Sequence, residues 1–204
     1  MRLFLTCLGV DGHDDLLVSV TGRGARVGVV LNAIDDRPSD RVLAGEIERG
    51  EIGRLGLRPV ELDLRDAADV ACLAAVDALW VRGGNTFALR SAMATHGADA
   101  VIARRIDDGS LGYAGYSAGA AVLAPDLDAV AEVDDPGVVD VPIMSGLGIL
   151  DRPLVPHVGG TYGEGAACTE LSRRLTADGV AHHALRDGDA LVTLGGDLRL
   201  VPRR

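Results

Sequence analysis

The chain has 204 residues, 48% of them apolar and 25% charged, with a formal net charge of −10; this is ordinary globular usage, with length enough for one sizeable core. The acidic balance, offset locally only by the Arg203-Arg204 tail, repels nucleic-acid backbones and anionic membrane surfaces, and 3% aromatic content offers little for base stacking. Cys7, Cys72 and Cys168 are odd in number and lack C-x-x-C spacing, which argues against a disulfide framework or a thiolate zinc site and suits reduced thiols in a cytoplasmic protein.

The opening stretch Met1 to Leu8 is apolar but too short for a signal segment with its cleavage site, and it reads as the first buried strand. A polar, Gly-rich segment follows, in which Gly22-Arg23-Gly24 lacks the third glycine and the preceding strand of a dinucleotide fingerprint. Arg26 to Leu31 is a continuous apolar run, the pattern of a strand buried on both faces. From Asp40 the spacing of Leu43, Ile47, Ile52 and Leu55 predicts a helix with those residues inward, Ser39 as cap and Gly56 as stop. Next come a strand over Arg58 to Leu64, a short helix over Asp66 to Ala75, and a buried strand over Asp77 to Val81. Strands alternating with helices predict an α/β fold, a mostly parallel sheet with helices on both faces, in one domain over 1–204. The strongest local break is Glu132 to Gly137, and no run approaches the roughly 20 apolar residues of a membrane span.

Ligands of such sheets gather beyond the strand C-termini. Two Gly-rich turns fall there: Arg82-Gly83-Gly84-Asn85-Thr86, and the turn at Ser117 between the strand Leu111 to Tyr116 and the helix former Ala118 to Leu123. Gly115, Ser117 and Gly119 form G-x-S-x-G, a nucleophile elbow in which a tight turn leaves no room for flanking side chains. The plainer alternative is a serine that caps the helix. A nucleophilic serine needs a base and a carboxylate to orient it. Among five histidines, His157 follows a short apolar strand, Arg152 to Pro156, and precedes Gly159-Gly160, whereas a solvent-exposed loop histidine is the plainer alternative. Asp187 lies in a turn ahead of another strand, although Asp-Gly is also a common hairpin turn. The order Ser117, His157, Asp187 differs from the serine, acid, histidine order of α/β-hydrolases, which here would need Asp151 with His182 or His183. His182-His183 with Asp187 lacks the ligand spacing of a closed metal site, so no metal and no cofactor are expected.

Leu79-Trp80-Val81-Arg82-Gly83-Gly84-Asn85-Thr86, Gly115-Tyr116-Ser117-Ala118-Gly119-Ala120, Pro156-His157 and Asp187-Gly188-Asp189-Ala190-Leu191 together resemble the successive motifs of the peptidase E and cyanophycinase family of serine peptidases. The likeness runs from about Arg26 onward. It implies a flavodoxin-like, class I glutamine-amidotransferase-like fold, with Ser117 as nucleophile, His157 as general base, and the Gly84 and Ala118 amides as oxyanion hole. For the third catalytic position it points to Asp187, or to Asp134 or Asp135 in the loop after the elbow helix. We favour Asp187, with Asp134 and Asp135 binding a substrate amino group and Asn85 and Thr86 shaping the site. Arg82 replaces the first of three glycines in the family pattern; it would pair with an acidic side chain or a substrate carboxylate, or face solvent, and it leaves aspartyl specificity open. The expected protein is a monomeric or homodimeric hydrolase of small peptides, and the resemblance implies dipeptides with N-terminal Asp. An α/β-hydrolase-type esterase and a catalytically silent binding module are the alternatives.

Overall fold

The computed structural model describes residues 1–161 and 163–203. In chain order its strands and α-helices are β1 (Arg2–Thr6), α1 (Asp14–Thr21), β2 (Arg26–Val30), α2 (Arg41–Arg54), β3 (Arg58–Leu62), α3 (Ala67–Cys72), β4 (Ala78–Val81), α4 (Thr86–Thr95), α5 (Ala98–Asp107), β5 (Gly112–Tyr116), α6 (Ala118–Ala121), β6 (Leu154–Val155), α7 (Gly165–Ala177), β7 (His183–Ala184), β8 (Ala190–Leu194) and β9 (Arg199–Val201). The short apolar runs build a seven-stranded sheet in the order β3-β2-β4-β5-β1-β8-β9. Its first five strands are parallel, and β8 and β9 close the far edge antiparallel to their neighbours.

Successive side chains of each central strand enter opposite faces, and both faces are covered. Leu3, Leu5, Leu79, Val81 and Tyr113 pack with Leu89 and Met93 of α4 and Ile102 and Ile106 of α5. On the other face Phe4, Val27, Val29, Trp80 and Ala114 pack with Leu17 of α1 and Ile52 of α2. The register pairs Thr6 with Tyr116 and Val81 with Gly115. The C-terminal ends of β1, β4 and β5 therefore finish at one level, and the turns that leave them share one space.

Three expectations need correction. In α2, Ile52 is buried, but Leu43 and Ile47 are 63% and 57% exposed; the inward row is Ala44, Gly45, Glu48 and Ile52. Glu48 sets that rotation. Its carboxylate accepts from Trp80 Nε1 at 2.6 Å and Tyr116 Oη at 2.6 Å and pairs with Arg82, bonds that a helix turned to bury leucine would forfeit. The helix is led in by a 3-10 turn over Pro38–Asp40, and Ser39 bonds Asp40 rather than capping it. The strand expected over 152–156 is limited to β6, which pairs with β7 in a separate two-stranded sheet.

Candidate active site

The turn from β5 to α6 is as tight as its glycines suggest. A Cβ at Gly119 would fall on the Val81 carbonyl, one at Gly115 would lie 2.6 Å from the Gly119 oxygen, and one at Gly83 would lie 2.8 Å from Ser117 Cβ. Between them Ser117 adopts φ 50°, ψ −117°, a sparsely populated conformation costing on the order of 1–3 kcal/mol. The Ser117 amide donates to the Thr6 carbonyl at 3.0 Å, fixing the elbow to the end of β1. Its hydroxyl caps no amide of α6 and has no hydrogen-bond partner among the described residues. The helix-cap alternative therefore fails, and the oxygen stands in a cavity of about 600 Å³.

The turn after β4 forms another wall. Gly84 has φ +150° and lies so close to the Ala33 carbonyl that a Cβ would overlap it. Asn85 accepts from the Phe87 and Ala88 amides at 2.9 and 3.0 Å, capping α4, while its Nδ2 donates to the Asp135 carbonyl at 2.9 Å. Thr86 donates its amide and its hydroxyl to Asp134 Oδ2 at 2.8 and 2.5 Å. Burial pushes the Asp134 carboxyl up, against those two bonds. Gly84, Asn85, Asp134 and Asp135 line the cavity; Thr86 acts behind it. Among the described residues, neither the Gly84 nor the Ala118 amide donates to a protein acceptor.

The third wall carries His157 and Asp187. His157 follows β6 with φ 58°, and its Nδ1 lies 2.8 Å from Asp187 Oδ1. Since a carboxylate accepts, Nδ1 is the donor and Nε2 is left as the basic nitrogen. A Cβ at Gly160 would crowd Asp187 Oδ2 at 2.9 Å, so glycine there leaves room for the carboxylate. No bond joins the Ser117 hydroxyl to His157 here; nucleophile and base in unliganded sites commonly stand further apart than in the reacting complex. Cys7 escaped the sequence reading because its partners lie far along the chain. Its Sγ accepts from the His157 amide at 3.2 Å and donates to the Leu185 carbonyl at 3.3 Å. Ligand atoms of Cys7, His157 and Asp187 lie within 4.8 Å of one another, but burial raises the thiol far above its ordinary range, so it serves as a neutral hydrogen-bonding group.

The structure also brings Asp36, Arg37 and Glu164 to the cavity, residues in which the sequence carries no motif. With Asp134, Asp135 and Asp187 they make the lining acidic around one arginine. Burial, with Asp134 nearby, raises the Glu164 carboxyl. Arg82 does not line the cavity. Its guanidinium turns away to Glu48 and to Tyr116 Oη, the latter at 2.8 Å, rather than toward the cavity where a substrate carboxylate would lie. His182 bonds Ser172 Oγ at 2.8 Å, and His183 lies 3.4 Å from Asp151. Neither that pair nor His182 reaches the space in front of Ser117.

A parallel sheet whose central strand ends in a strained serine turn, facing a histidine-carboxylate pair, defines the class: an α/β protein of the flavodoxin-like, class I glutamine-amidotransferase-like kind. The chain belongs to peptidase family S51, whose model matches residues 49–201. An uncharacterized peptidase of Listeria innocua serovar 6a is 34% identical over 117 residues, 54% of this chain and 56% of that protein; the match thus spans little more than half the length of this curated relative. Among solved structures, a protein of Listeria monocytogenes EGD-e provisionally named peptidase E superposes with a TM-score of 0.83 at 23% identity, covering 98% of both chains. A peptidase from an acI-B1 Actinobacterium gives 0.70 at 18% identity, covering 98% of this chain and 87% of that one.

Proposed function

We propose that the protein is a serine peptidase acting on short peptides through an acyl-enzyme. The observation that carries this reading is the unengaged Ser117 hydroxyl, held by a strained backbone in the cavity that also receives the bonded His157–Asp187 pair. In the proposed reaction His157 Nε2 removes the hydroxyl proton as Ser117 Oγ attacks the peptide carbonyl. The Gly84 and Ala118 amides donate to the developing oxyanion. His157 then protonates the leaving amine, and water, deprotonated by the same nitrogen, releases the acid. Asp187 is favoured for the third position because it alone among the described residues bonds the imidazole, whereas Asp134 is committed to Thr86. An acidic lining suits the free ammonium of a peptide N-terminus, and Arg37 is the one cation of the lining among the described residues. Dipeptides with N-terminal Asp are accordingly the first substrates to test.

The test is hydrolysis of a panel of Asp-X dipeptides and p-nitroanilides by wild type, Ser117→Ala and His157→Ala. Wild-type turnover with a loss of at least about 10³-fold in each variant is expected. Labelling by a fluorophosphonate that requires Ser117 and His157, without peptide cleavage, would move the assignment to another acyl substrate such as an ester. A wild type that neither cleaves nor labels would make the chain a binding module on this fold.

A further inference from the structure

Ser117, His157 and Asp187 come from distant parts of the chain, and the last residue of β1 with the segment after it touches all three neighbourhoods. The Thr6 carbonyl accepts from the Ser117 amide, and Cys7 Sγ links the His157 amide to the Leu185 carbonyl. Further along, Asp11 Oδ2 accepts from the Gly188 amide at 2.6 Å, and His13 Nε2 lies 2.8 Å from the Gly188 carbonyl, to which it donates. His13 is 5% exposed, and Asp11 itself is held at φ 56°. This segment precedes residues 49–201, the part matched by the family model.

Gly188 sits in a turn closed by the Asp189 amide, which donates to the Arg186 carbonyl at 3.0 Å; it has φ +94°, and a Cβ there would lie 2.6 Å from Arg203 Cδ, so beyond that one bond no side chain of its own holds it. The adjoining Asp187 side chain is 30% exposed, and His157 is its one hydrogen-bond partner among the described residues. A carboxylate receiving a backbone N–H on one side and an imidazole meeting the carbonyl on the other fix both ends of the glycine.

We propose that Asp11 and His13 are positioning residues that hold the Gly188 backbone, and thereby aim the Asp187 carboxylate at His157. The proposal rests on the reading above, in which that pair serves Ser117. It is tested with Asp11→Ala, which removes the acceptor, and Asp11→Asn, which removes the charge but keeps an acceptor oxygen. Asp11→Ala is expected to lower kcat about tenfold with KM within twofold, because a small misplacement of a catalytic group is costly while peptide-binding groups are untouched. The fluorophosphonate labelling rate should fall by a similar factor. The hydrogen-bonded imidazole Nδ1–H proton of His157, read by NMR, should be lost to exchange. Asp11→Asn should keep all three near wild type. Wild-type kcat, labelling and NMR signal in Asp11→Ala would overturn the proposal, as would an Asp11→Asn as impaired as Asp11→Ala. Should Asp11→Ala not fold, His13→Ala against His13→Gln makes the same comparison from the carbonyl side. If wild type neither cleaves nor labels, the peptidase reading fails by itself, and the NMR signal still decides whether Asp11 positions the pair.

Discussion

Glu48 shows how one residue sets the environment beneath the elbow. It is 3% exposed, yet three groups from β4, the turn after it and β5 converge on its carboxylate. Burial and the neighbouring Glu48 hold the Tyr116 phenol far above its ordinary range, so it remains the proton donor in this bond. Tyr116 immediately precedes Ser117, and a ring-to-ring contact of 5.5 Å joins it to Trp80. Removing the carboxylate strands the Arg82 charge, the indole N–H and the phenol together. Glu48→Ala is therefore expected to cost about 3 kcal/mol or more, measured as a lower urea midpoint with an unchanged m-value. A midpoint near that of wild type would mean that water satisfies these groups as well as Glu48 does.

The elements were unequally legible. Strands buried on both faces announce themselves as apolar runs, and the turns at Gly84 and Ser117 do so through Gly84, Gly115 and Gly119, where backbone approaches exclude a Cβ. The face of α2 was misread because apolar spacing does not encode the bonds that draw Glu48 inward. Cys7, Asp11 and His13 carried no local signal, since what they hold lies at 157, 185 and 188. The ends of β2 and β3 are joined in the same non-local way. Asn32 is fully buried, donates to Asp35 and Asp63 at 2.8 and 2.9 Å, and accepts from the Leu64 amide at 3.0 Å. Arg65 first, and then Asn32, hold the Asp63 carboxyl well below the usual carboxylate range. Over the interval between its unfolded and folded values the unfolded chain binds the proton more readily, so the contribution of Asp63 is full at neutral pH and declines as pH falls. Burial pushes Asp35 the opposite way, which is why the comparison must be between proteins rather than along one curve. Asp63→Asn should lower Tm at pH 7, and its gap to wild type should narrow below about pH 4. A gap independent of pH would show that Asp63 acts through shape and not through its charge.

At the scale of the whole molecule, the candidate site lies where the ends of β1, β4 and β5 meet the segments carrying His157, after β6, and Asp187, before β8, and Cys7 lies in that seam. It is fully buried, and burial drives its thiol far up; Cys168, on the buried face of α7, is also fully buried and is pushed up to about 12. Cys72, at the end of α3, is partly exposed. Thiolate, not thiol, attacks a disulfide reagent, and it must be reachable to do so. The native protein at pH 8 should therefore release one equivalent of thionitrobenzoate from DTNB quickly, and three after denaturation, matching its three cysteines. Slow reaction of the second and third thiols would then follow the opening of the structure around them rather than their intrinsic chemistry. Because Cys7 bonds both the His157 amide and the Leu185 carbonyl, its protection reports whether the two halves of the site are docked. Rapid release of two equivalents, with the second mapped to Cys7, would mean that the seam opens in the native state and that the His157 wall is assembled only on binding substrate.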